Sequence, residues 1–128
     1  MAKKALSVIE TAYRATIEEQ DDTIVWLAHA MKGAGADLNV LLRGNAVNYA
    51  VRGQDASGLQ FGDKKQTQPP DIAGDVGKLI GKGVDVYLVE DDAAERGIER
   101  TELIEGLKFV SRSGIAKLFG GYDLILHW

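Results

Sequence analysis

The sequence predicts an α/β fold, a parallel sheet with helices on both faces, in a single domain spanning residues 1–128. Three observations carry this expectation. Short apolar runs alternate along the chain with segments of helical periodicity, the pattern of strand–helix–strand units. Glycines close the helical segments, at Gly33 and Gly35, at Gly83, and at Gly120-Gly121. The length of 128 residues, with 45% hydrophobic and 27% charged positions, suits one domain with its own core.

The elements follow in order. Lys4–Glu10 (KALSVIE) reads as a first strand, with Leu6, Val8 and Ile9 as its apolar residues. Thr16 and Glu19 have capping-box spacing and offer a helix start. From Asp22 the pattern is helical, with Ile24, Leu27, Ala28 and Met31 on one face. Asp37–Leu42 (DLNVLL) is the second strand. Arg43-Gly44-Asn45 then turns the chain, with Asn45 as the N-cap of a short helix, Ala46–Val51. Residues 54–70 lack periodicity and read as an irregular loop within the domain, containing the apolar Leu59 and Phe61. Asp71–Gly83 reads as a helix with Ile72, Val76, Leu79 and Ile80 inward, and Val84–Val89 (VDVYLV) as the third strand. Glu90-Asp91-Asp92 closes that strand, with Asp92 and Glu95 at capping-box spacing before a helical turn, Ala93–Glu99. Thr101–Leu107 suggests another helix, Phe109-Val110 a short strand, Ile115–Phe119 a short helix and Tyr122–Trp128 the last strand.

Composition narrows the function. The sequence has no cysteine, which excludes disulfides, thiolate metal sites and thiol nucleophiles among these residues. The net charge of −4 has the wrong sign for a general nucleic-acid binder, whose affinity comes largely from phosphate neutralisation. No apolar run approaches the ~20 residues of a spanning helix, so no membrane partner is expected. Met1-Ala2-Lys3-Lys4 leads into the first strand without a cleavage-like site, so a cytoplasmic location is expected. Gly33-Ala34-Gly35 follows a helix and lacks the third glycine of a dinucleotide fingerprint, since Leu38 stands there. The two histidines, His29 and His127, have no metal-ligand spacing, and neither a metal nor a cofactor is expected.

In an open parallel sheet, ligands gather at the carboxyl ends of the strands. The groups expected there are Glu10, Arg43 with Asn45, Glu90 with Asp91, and His127. Arginine's planar fork suits an anion or carboxylate, and Arg43 and Arg96 are the candidates. The neighbouring carboxylates favour a mixed polar ligand over a bare phosphate.

Val84–Val89, followed by Glu90 through Arg96-Gly97-Ile98, resembles the central block of the DsrE-type family, the DsrE/TusD/YchN-like sulfur-relay group. The opening strand to Glu10, Ala28–Val40, Leu42–Val47, Leu103–Gly106 with Val110-Ser111, and Gly121–Leu126 agree in order and spacing, so that residues 54–70 are the main stretch left out. The resemblance implies a three-layer α/β/α domain around a five-stranded, mainly parallel sheet, and a homo-oligomer, a trimer or hexamer. Family members that move sulfur carry it as a persulfide on one cysteine after the third strand. The matching position here falls at about Val89, expected at the floor of the strand-end pocket, and a persulfide needs a thiol. Two functions remain open. One is a non-catalytic homo-oligomer that binds a small molecule or a protein partner in a sulfur-related pathway. The alternative is a thiol-independent enzyme using acid/base and anion-binding groups at the strand ends, with Glu10, Arg43, Asp91 or His127 in those roles.

Overall fold

Five parallel strands form the centre of the computed structural model, which describes residues 3–14 and 22–128. They are β1 (Lys4–Ile9), β2 (Asp37–Leu42), β5 (Val86–Val89), β6 (Lys108–Val110) and β7 (Leu124–His127). Their order across the sheet is β6-β5-β2-β1-β7. The chain steps outward from β1 through β2 and β5 to β6, then returns to place β7 on the free side of β1. β1 thus pairs in parallel with both β2 and β7, Val8 standing opposite Leu41 on one side and His127 on the other.

Side chains alternate between the two faces, as the pleat requires. Ala5, Ile9, Leu38, Val40, Leu42, Val86 and Leu88 point to one face. There they meet α1 (Thr23–Gly33), α2 (Ile72–Gly81) and a 3₁₀ segment (Gly44–Ala50), through residues such as Val25, Ala28, Val47, Tyr49, Val76 and Leu79. Leu6, Val8, Leu41 and Val89 point to the other face, covered by Ile115 of α4 (Ile115–Phe119) with Leu118, Phe119 and Tyr122. Right-handed crossovers account for the division, because only the return from β6 to β7 runs against the general direction. The expected helices on both faces are present, but one layer is thick and the other thin.

Local chemistry explains the element boundaries. Asp22 caps α1, its Oδ1 accepting the N–H groups of Ile24 (2.8 Å) and Val25 (3.1 Å), while Oδ2 accepts the Tyr49 hydroxyl at 2.5 Å. Burial lifts the Tyr49 phenol well above its ordinary pKa, and the adjacent Asp22 carboxylate adds to the rise. Asp71 caps α2 by accepting the Gly74 N–H at 3.0 Å. The buried stripe of α1 centres on Val25 and Ala28, with Ile24 and Met31 beside it; Leu27 lies on the open flank next to exposed Trp26. The Thr16–Glu19 spacing lies outside the described residues.

Several expectations need correction. The third strand is shorter than Val84–Val89, beginning at Val86. Helix α3 spans Glu90–Glu95, so the acidic trio forms its first turn instead of preceding it. Opposing the positive end of the helix dipole, carboxylates suit that position. Thr101–Leu107 is not a helix. Leu103 forms an antiparallel bridge with Val51, and Ile104 N–H donates to the Ala50 carbonyl at 2.9 Å, which leaves only a 3₁₀ turn at Arg100–Glu102. Residues 54–70 contain a small hairpin, β3 (Gln60–Phe61) with β4 (Lys64–Lys65), turning at Gly62 with φ +59°. Among the described residues no helix is long and apolar enough to cross a membrane.

Candidate functional site at the strand carboxyl ends

The carboxyl edge divides into two halves that meet at Gly44. One half lies over β7, β1 and β2. Alternation places Glu10 in phase with Leu6 and Val8, and Arg43 in phase with Leu41; His127 stands in register with Val8. All three therefore point to the α4 face. Glu10 Oε1 lies 3.1 Å from His127 Nε2 and 3.5 Å from Arg43 Nε. The backbone holds Glu10 in place: its N–H donates to the Trp128 carbonyl at 2.9 Å, and its carbonyl accepts from Ala46 N–H at 3.2 Å. The terminal guanidinium nitrogens of Arg43 make no hydrogen bond among the described residues.

The other half, over β5 and β6, is stitched together. Asp92, 6% exposed, accepts the Gly44 N–H at 2.7 Å on Oδ2 and Arg112 Nη2 at 2.5 Å on Oδ1. Burial by itself would raise the Asp92 pKa, but the Arg112 hydrogen bond, the Gly44 N–H and the charges of Arg112 and Arg96 together hold it below the ordinary carboxylate value. Arg112 also reaches Glu95 at 2.9 Å, and hydrogen bonds to Asp92 and Glu95 raise its own pKa further. Asp91 accepts the Arg112 backbone N–H at 2.9 Å. Glu90 pairs with Arg100, whose guanidinium lies 4.0 Å from the Phe109 ring centre.

Gly44 joins the halves. Its φ of +55° suits glycine, and a Cβ there would stand 3.0 Å from Glu10 Cγ. One residue thus donates its N–H to Asp92 and leaves room for the Glu10 side chain.

Of the residues expected at the edge, Glu10, Arg43 and His127 come together. Glu90 and Asp91 bond instead to Arg100 and Arg112. Asn45 is not an N-cap. Arg43 holds that position without a side-chain bond, and the Asn45 side-chain Oδ1 accepts Arg96 Nε at 3.2 Å and Nη2 at 3.0 Å. Asp92 is not a cap either; Val89 precedes the helix, and both Asp92 and Glu95 serve Arg112. Val89 is fully buried among Leu6, Val8, Leu41 and Ile115. His29 is structural: its Nε2–H donates to the Asp75 carbonyl at 2.9 Å, and its Nδ1 accepts from Lys82 Nζ at 2.9 Å. Arg112 was the residue missed. It directly follows the Phe109-Val110 strand and Ser111, so extending the strand-end rule to that strand would have found it. Among the described residues no group of three His, Asp or Glu side chains is arranged to hold a metal.

The architecture can now be compared with known structures. The chain superposes on the ychN protein of E. coli with a TM-score of 0.74 at 22% identity, covering 98% of this chain and 99% of that one. It has the YchN-like fold. A protein of unknown function from Methanobacterium thermoautotrophicum, MTH1491, superposes with a TM-score of 0.60 at 18% identity, covering 98% of this chain and 99% of that one. No family model and no curated protein matches the sequence. The fold implied by the resemblance to the DsrE-type group is therefore the fold observed, with an all-parallel central sheet. In this version of the YchN-like fold, the start of α3 is preceded by buried Val89. A helix N-terminus lowers a thiol's pKa, but valine offers nothing to ionise.

Proposed function

We propose that this chain is a thiol-free binding module of DsrE/YchN-like type, working as a cytoplasmic homo-oligomer. It takes a small polar ligand or a polar group of a protein partner at Glu10, Arg43 and His127, in a sulfur-related pathway, and carries no covalent sulfur itself. One observation supports this reading above the rest. At the carboxyl edge beside β1, where strands on either side arrive from opposite directions of the chain, one carboxylate stands between a guanidinium and an imidazole. Such a trio offers both a cationic fork and an anionic acceptor, and suits a ligand bearing both kinds of group. The Glu10–His127 contact of 3.1 Å also favours a second reading, a thiol-independent enzyme in which Glu10 orients His127 for proton transfer.

An NMR titration with a panel of small zwitterions and carboxylates tests the binding reading. Perturbations are expected to centre on Glu10, Arg43 and His127; a binding footprint elsewhere on the chain overturns it. Intact-mass measurement after polysulfide treatment should show no added sulfur atom, and stoichiometric, reductant-labile addition would refute the claim about sulfur.

A further inference from the structure

A cavity lies at the same carboxyl edge, on the face of the sheet opposite the Glu10–Arg43–His127 trio. α2 leads into β5, so its first turn sits at this edge. There Tyr13, Gln54 and Pro70 meet Asp71 and Ile72 around a space of about 60 Å³. Tyr13 packs edge-on against buried Tyr49, with ring centres 5.2 Å apart. A water's share of the liquid is about 30 Å³, so the space admits a head group of about four non-hydrogen atoms.

The side chains around the cavity are left with acceptors. The Tyr13 hydroxyl donates to Gln54 Oε1 at 2.6 Å. Gln54 Nε2 donates to the Asn48 carbonyl at 2.7 Å and to the Val51 carbonyl at 3.0 Å, which spends both amide hydrogens. The Tyr13 and Gln54 oxygens each keep a lone pair. Asp71 Oδ1 accepts the Gly74 N–H at 3.0 Å as the cap of α2, leaving Oδ2 outside the cap. Glu10, Glu90 and Asp92 at this edge each have a cationic partner, whereas among the described residues no cation pairs with Asp71. Arg14, next to Tyr13 in the chain, is engaged elsewhere: it donates to the Thr11 carbonyl at 3.0 Å and lies 3.8 Å from Asp22. The N-terminus of α2 carries about half a positive charge, which the full Asp71 carboxylate outweighs.

We propose that this cavity binds a small molecule through a planar cationic head group, a guanidinium or an amidinium. Such a head donates several hydrogen bonds and accepts none, which matches the Tyr13, Gln54 and Asp71 oxygens. Its charge answers the unpaired Asp71, and its flat face suits the half-exposed ring of Tyr13. A carboxylate or phosphate would meet three acceptors, one of them charged, and is disfavoured. The inference goes beyond the reading of the trio and does not depend on it.

Methylguanidinium and methylurea are nearly isosteric and differ in charge. In an NMR titration, methylguanidinium should shift the Tyr13 and Ala73 backbone amides and the Gln54 side-chain amide saturably. Methylurea should bind about tenfold more weakly. Asp71→Asn keeps a good capping residue and removes the charge. Its thermal midpoint should change little, and its affinity for methylguanidinium should fall about fivefold. Tyr13→Phe keeps the ring, loses an acceptor and should also bind more weakly. Asp63→Asn, which removes an exposed carboxylate on the hairpin turn, should bind as the wild type does. Methylurea binding as tightly as methylguanidinium would overturn the proposal. So would wild-type affinity in Asp71→Asn, equal losses in Asp71→Asn and Asp63→Asn, shifts centred on Glu10 and His127, or no saturable shift at all. The trio is probed with zwitterions and carboxylates, so either site can fail without the other.

Discussion

The two halves of the carboxyl edge use the same residue types to opposite ends. Over β5 and β6, each carboxylate is committed: Asp92 to Gly44 and Arg112, Glu95 to Arg112, Asp91 to the Arg112 backbone and Glu90 to Arg100. Over β7, β1 and β2, a single exposed carboxylate is shared by Arg43 and His127. The first arrangement is a brace that fixes α3 against the loop before α4. The second keeps polar groups near water and near each other, where a ligand can exchange with them. Burial explains the difference. Asp92 is almost out of solvent and would be destabilising without its partners, whereas Glu10 is half-exposed and loses little if its partners leave.

Breaking the brace should have the largest effect. Asp92→Ala leaves the Gly44 N–H without its acceptor and removes the main partner of Arg112, and should cost about 2–4 kcal/mol in urea unfolding. The pH dependence follows from the same contacts. The folded pKa of Asp92 lies below its unfolded value, so its stabilisation is present above about pH 4 and fades as pH falls through the folded value. Below about pH 4 the wild-type protein should therefore lose stability with falling pH more steeply than Asp92→Ala. Parallel acid limbs in urea midpoints would show that the brace does not depend on the ionised carboxylate.

Gly44→Ala tests the seam. A left-handed backbone costs a side chain about 1–2 kcal/mol, and the added Cβ would crowd Glu10 Cγ at 3.0 Å. Glu10 is half-exposed and can swing outward, so the loss in thermal unfolding should stay near the backbone cost. The Glu10–His127 contact should break, which the His127 ring resonances would report. Unchanged His127 resonances would mean that Glu10 is not held by the shape of this turn.

What could be read beforehand divides along similar lines. β2 and α4 match their expected bounds because their signals are local: an apolar run between turns, and a short helix ahead of Gly120-Gly121. Asn45 and the Asp92–Glu95 pair also looked like local caps, but their side chains were taken by arginines far along the chain. Arg96 is 51 positions from Asn45, and Arg112 is 20 positions from Asp92. A charged donor outcompetes the weak intrahelical alternative, and spacing rules do not see it. The two-residue strands of the hairpin are too short to show a period at all. Glu10 and His127, 117 positions apart, were still foreseeable as neighbours, because the parallel-sheet rule sends both strand ends to one edge.

The smallest stability effect is expected where the functional effect should be largest. Glu10→Gln keeps the size of the side chain and removes its charge. Glu10 and His127 are half-exposed and Arg43 is partly exposed, and surface ion pairs contribute about 0–1 kcal/mol, so the thermal midpoint should barely move. Binding should change more, and in a direction that depends on the ligand. The carboxylate now competes with any anion for Arg43. Removing it should strengthen the weak binding of inorganic phosphate while abolishing that of zwitterions that need both an acceptor and a fork. Titrating Glu10→Gln and the wild-type protein with phosphate and with a zwitterionic hit separates the two effects. A variant that loses several kcal/mol of stability would place Glu10 with the brace, and one that binds both probes as the wild type does would remove it from the site.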